Sequence, residues 1–112
     1  MKNVKAKIGH DLRKSGIAGC YYGEEFMYLA LELIEKDPRS LKRISKDIYP
    51  AIAKQCRTSP DCVERNLRTF VARLWTAQDH TYLNALAGEV LTRRPANREF
   101  LEIMYTHFIK TE

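Results

Sequence analysis

Apolar positions recur along this chain at helical spacing, and the elements they predict are all helices. Val4, Ile8 and Leu12 stand at i, i+4 and i+8 and predict a first helix over residues 3–15. It has a basic outer face, carries His10 on the exposed side and ends at Gly16. Gly16–Gly19 reads as a connector, and Cys20–Lys36 as a second helix apolar nearly all round its middle, the pattern of a helix at the centre of a bundle. Asp37-Pro38 breaks the chain. Ser40 is then placed to cap a third helix with Leu41, Ile44 and Ile48 inward and Lys42, Arg43 and Lys46 outward, which Pro50 bends or restarts. Further on, Asp79–Ala87 predicts a small helix with Tyr82, Leu83 and Leu86 inside, stopped by Gly88 as a left-handed cap. Asn97 is placed to cap a last helix whose Phe100, Leu101, Met104 and Phe108 pack inward. The expected fold is therefore all-α, a compact bundle of about six helices.

Between these elements lies the stretch Tyr49 to Trp75, which predicts a helix-turn-helix. Ile52, Ala53 and Cys56 give its first helix a small inner face, and Pro50 suits a first turn, where helical N–H groups go unbonded anyway. Arg57 and Thr58 fill the turn, and Ser59-Pro60 is an N-cap and N1 pair that starts a second helix running to about Trp75. On a helical wheel Val63, Leu67, Phe70, Val71 and Leu74 share the buried arc, with Trp75 at its edge. Asp61, Arg65, Arg68 and Ala72 fall opposite, with Glu64 beside them, a narrow polar stripe that a major groove can receive. Asp61 with Arg65, and Glu64 with Arg68, are also acid-before-base pairs at i,i+4, which support any solvated helix by about 0.2–0.5 kcal/mol each. The short preceding helix and the tight turn favour DNA over that plainer explanation.

Three segments carry a family resemblance: IYPAIAKQ, then VERNLR followed by Trp75, then RPANREF near the end. With them the chain resembles the C-terminal effector domain of the stage-zero sporulation response regulator, and the two run together without a gap from Gly16 to Gly88. The resemblance implies a DNA-binding domain in which Glu64, Arg65 and Arg68 lie on the recognition helix. It also implies head-to-tail pairing on tandem sites and contact with the RNA polymerase sigma factor. This chain departs from the pattern at Cys62, where the family has a basic residue, at Thr69, where it has histidine, and in a shorter loop after Gly88. Those changes bear on DNA sequence preference more than on fold. The family's receiver domain is not part of this sequence, so the chain is expected to be either an excised domain or a free-standing one; if it is free-standing, regulation through expression level or another protein is expected in place of phosphorylation.

Length and composition add bounds. A chain of 112 residues, 45% apolar and 29% charged, suits a single domain over 1–112 with disorder confined to its ends. The longest apolar run, Phe26 to Leu31, is far short of a membrane span, and Lys2, Lys5 and Lys7 precede no signal-peptide core, so a cytoplasmic, nucleoid-associated protein is expected. Three cysteines form no even disulfide set, and Cys56 and Cys62, five residues apart in between, match no common zinc spacing. Charge is uneven: residues 1–16 sum to +4, residues 17–38 to −4 and residues 39–57 to +5. The last block runs into the helix-turn-helix, where phosphates would be gripped.

No Gly-rich phosphate loop, His-Glu-x-x-His or nucleophile with a base is present, and His80 and His107 lack partners at catalytic spacing, so neither catalysis nor a cofactor is expected. The leading expectation is sequence-specific binding of double-stranded DNA. Arg65 would read guanine bidentately, Glu64 would accept from a cytosine amino group, and Arg68 would hold a base or a phosphate. Lys54, Thr58 and Ser59 at the turn, with Asp61 and Thr69 on the helix and Arg93 and Arg94 in the later loop, form the expected backbone and turn set. The alternative is a protein-interaction module of the same fold that acts on a regulator or on RNA polymerase with little DNA binding.

Overall fold

The computed structural model describes residues 2–16 and 22–110. Helix α1 (Lys2–Lys14) buries Ile8 and Leu12 and turns Lys5, Lys7, His10, Arg13 and Lys14 to solvent. Gly16 then takes φ +81, a conformation that costs glycine nothing. The rest of the expected connector, and the expected start of the second helix at Cys20, lie outside the described residues.

Helix α2 (Tyr22–Lys36) is the hub, because Met27, Ala30, Leu31 and Ile34 are wholly buried along one face and Phe26 and Tyr28 extend the buried surface to either side of it. It packs against the helix-turn-helix and the last helix. Gly23 lets it cross close to α4 (Pro60–Thr76): a Cβ there would stand 2.4 Å from the Asn66 carbonyl oxygen and 2.5 Å from Phe70 Cβ. One continuous core joins these helices, with Phe70 and Phe100 meeting edge to face.

The segment after α2 differs from expectation. Asp37, and not Ser40, caps it: the Asp37 carboxylate accepts from Arg39 N–H at 3.2 Å, while Ser40 turns inward and donates its hydroxyl to the Asp37 carbonyl. With Pro38 in the first turn, the chain forms a 3₁₀ stretch (Pro38–Arg43) and then one wide π-helical turn (Ile44–Ile48) in place of a single helix. Tyr49 N–H bonds back to Ile44 O, and Pro50, which has no N–H, sits in the first turn of α3 (Tyr49–Cys56). Ile48 is fully buried; Leu41 and Ile44 are partly buried against the core.

Two other helix starts are corrected. The small helix α5 (Thr81–Ala87) begins two residues after Asp79, because Asp79 and His80 both take left-handed backbone (φ 53 and 71) at the end of a 3₁₀ turn, Ala77–His80. His80 stacks on Trp75 and bonds its carbonyl through Nδ1, so its role is structural. Helix α6 (Asn97–Tyr105) has Ala96 at its N-cap, and the Glu99 carboxylate accepts from Ala96 N–H at 2.9 Å. Asn97 is buried and bonded elsewhere. Gly88 ends α5 in left-handed conformation, and Phe100, Leu101, Met104 and Phe108 are buried. No described helix is long and apolar enough to cross a membrane.

Candidate nucleic-acid interface

Helices α3 and α4 meet through a three-residue turn closed at both ends. Arg57 takes φ 56, and its N–H and that of Thr58 both reach the Ala53 carbonyl, satisfying the end of α3. Ser59 is extended (φ −101, ψ 154), and its Oγ accepts from Cys62 N–H at 3.1 Å, satisfying the start of α4. Tyr49, Ile52 and Ala53 form the inner face of α3. Cys56, expected inside, is exposed, because α3 ends there and Arg57 turns the chain away. Cys62 is half-buried, with the Asn66 amide at 3.3 Å from its Sγ, and Cys56 and Cys62 are free thiols.

Val63, Leu67, Phe70, Val71 and Leu74 of α4 are buried and Trp75 is half-buried, which leaves Asp61, Arg65, Arg68 and Thr69 exposed on the outer side with Glu64 and Ala72 half-buried beside them. The two i,i+4 pairs behave differently. Glu64 and Arg68 close to 3.2 Å, whereas Asp61 and Arg65 form no ion pair, so the Arg65 guanidinium is uncommitted.

Beside Glu64 and Arg68 lies a cleft of about 420 Å³ walled by Tyr49, by the loop carrying Arg93 and Arg94, and by Arg98 in the first turn of α6. At its base Asn97, 8% exposed, donates through Nδ2 to the Tyr49 hydroxyl (3.0 Å) and to the Glu64 carbonyl (3.1 Å), tying α6 to both helices of the motif. Burial raises the Tyr49 phenol pKa, with the Asn97 bond opposing, so the ring is neutral at physiological pH. Arg93 makes a bidentate bridge to Glu99 (3.0 and 2.9 Å), which with the Ala96 N–H holds the Glu99 carboxyl below its usual range. Arg94 carries no such partner.

Glu64, Arg68, Arg93 and Arg94 line one cleft; Lys54 is exposed on α3, Thr58 and Ser59 form the turn, where Ser59 already serves as a cap, and Asp61, Arg65 and Thr69 stand exposed on α4. Sequence reasoning passed over Tyr49 and Asn97 as partners, although both stand inside the segments that carry the family resemblance. Among the described residues, no group of three or more His, Cys, Asp or Glu side chains is placed to hold a metal ion.

A capped tight turn leading into an amphipathic helix with an exposed polar stripe defines the class: a helix-turn-helix DNA-binding domain of a transcription regulator. Residues 8–108 match the family model described as "Sporulation initiation factor Spo0A C terminal", and the chain belongs to that family. Its members are DNA-binding effector domains and not enzymes.

Proposed function

We propose that α4 enters the major groove of double-stranded DNA and reads a short sequence through Arg65, Glu64 and Arg68. The observation that carries this reading is Arg65, an exposed guanidinium without an ion pair at the middle of the polar stripe, one turn and a half beyond the capped turn. A free guanidinium reads guanine O6 and N7 bidentately at about 1–3 kcal/mol of discrimination. Glu64 and Arg68, bridged to each other, act as one unit: opening the bridge lets Glu64 accept from cytosine and Arg68 reach a base or phosphate. Lys54, Thr58 and Ser59 hold backbone on the turn side, and Thr69 contacts it further along the helix. Asp61 supports the positive N-terminal end of α4 in place of touching phosphate. Across the cleft Arg94 is the free phosphate ligand, and Arg93 is braced on Glu99 behind it. Head-to-tail pairing on tandem sites and contact with a polymerase sigma factor belong to the same reading and rest on the family resemblance.

The test compares two alanine variants. Arg65→Ala should cost about 1–3 kcal/mol on the preferred site and flatten preference at one base pair, while Lys54→Ala should weaken all sequences alike and lower the salt slope by about one. Equal, sequence-independent losses for both variants would refute the assignment.

A further inference from the structure

The cleft beside α4 does not end at α6. A second concavity of about 490 Å³, formed by residues 42–46 and Arg98, shares Ile44 and Arg98 with it, so the two run into one trough. Its cations divide into committed and free. Arg68 is tied to Glu64, Arg93 to Glu99, and Arg43 to Asp47 at 2.6 Å with Asp37 at 3.9 Å. The acids that face the trough are largely consumed by these bridges. Among the described residues Lys42, Lys46 and Arg94 are exposed and carry no ion pair, and Arg98 meets Glu102 only at a loose 3.9 Å. A line of like charges left unpaired along one depression repels itself, and a polyanion laid in the depression relieves that repulsion.

We infer that this trough is a second phosphate track, in which Lys42, Lys46 and Arg98 grip DNA backbone flanking the base pairs read by α4. The inference rests on the proposed entry of α4 into the major groove. That groove is about 12 Å wide, so a helix within it has one strand's backbone on each flank. The turn with Lys54 and Thr58 serves one flank. The trough borders α4 at Glu64 and Arg68 and runs past the N-terminal end of α6 to the π-helical turn, and in this reading it serves the other. Basic residues remote from the recognition helix then extend the footprint without adding base contacts, and affinity depends on how far the duplex continues on that side.

The test uses the whole chain and two duplexes carrying the preferred site, one with long flanks and one trimmed on the trough side. A Lys42→Ala, Lys46→Ala, Arg98→Ala variant removes three exposed cations, with circular dichroism confirming that it folds. Each lost phosphate contact should lower the slope of log affinity against log salt by about 0.9, so a fourfold rise in salt should cost the unmodified chain roughly 40-fold more affinity than the variant. Base preference should be unchanged, trimming should erase the difference between the two proteins, and Lys46→Arg with Arg98→Lys should keep the original slope. Selective binding by the unmodified chain with the same affinity and slope in the variant overturns the trough and leaves the recognition helix standing. Absence of selective binding by the unmodified chain overturns both.

Discussion

Replacing Asn97 with alanine tests whether α6 sets the position of the helix-turn-helix. The side chain is 8% exposed and donates to two partners distant in sequence, the Tyr49 hydroxyl at 3.0 Å and the Glu64 carbonyl at 3.1 Å. Each such bond contributes about 0.5–1.5 kcal/mol net, and truncation leaves the Tyr49 oxygen buried without its donor, so Asn97→Ala should cost about 1–3 kcal/mol. For a domain of this size that lowers Tm by about 4 °C per kcal/mol. Tyr49→Phe removes only one of the two bonds and should cost about 1 kcal/mol. In a double-mutant cycle read by urea denaturation, the two changes should couple by at least about 0.5 kcal/mol, as expected of side chains in direct contact. On DNA, Asn97→Ala should weaken the preferred site more than random sequence, because the Glu64 carbonyl it releases lies next to Arg65. A loss below about 0.5 kcal/mol, or strict additivity with Tyr49→Phe, would refute the reasoning.

Gly23→Ala would gain about 0.5–1 kcal/mol in an open helix, but here the added Cβ meets Asn66 backbone and Phe70 at 2.4 and 2.5 Å, so a net loss of about 1–3 kcal/mol is expected by urea denaturation. A neutral or stabilising result would contradict the close crossing of α2 over α4. Arg57→Gly should stabilise by up to about 1 kcal/mol, because its φ of 56 strains any residue with a Cβ; a lower urea midpoint would count against it. Glu99 has a folded-state pKa depressed below its ordinary 4.5, first by Arg93 and then by Ala96 N–H. Its contribution to stability is therefore fully present above that ordinary value and is lost as pH falls through the folded value. Glu99→Gln should accordingly be less stable than the unmodified chain at neutral pH, with the gap closing in acid; a gap that stays constant from neutral to low pH would contradict this.

Legibility in the sequence followed the range of the interactions involved. Helix α4 was readable because its signals are local: Ser59-Pro60 starts it, and one apolar arc runs its length. Asp37 and Ser40 are both good caps within four positions, so the sequence does not separate them, and only the inward turn of the Ser40 hydroxyl does. Cys56 fell on the inner arc of a continuous wheel, yet the helix stops there and the wheel stops with it. The left-handed backbone at Asp79 and His80 accompanies stacking of His80 against Trp75, a contact that no wheel displays. Asn97 has the composition of an N-cap, and its actual partners lie 48 and 33 residues away in sequence. The same limit applied at Arg93 and Arg94: neighbours of one chemical type, of which the fold pairs only Arg93 with Glu99. Their difference is a product of where α6 begins.

Selection of binding sites from a random duplex pool tests the central claim most directly. The account predicts enrichment of one short motif that shares the core of the family's site, with its edges altered where Cys62 and Thr69 depart from the family pattern. The same selection with Arg65→Ala should lose preference at a single guanine while keeping the rest of the motif. A pool left without an enriched motif by the unmodified chain, or a motif that Arg65→Ala leaves intact at every position, would contradict it.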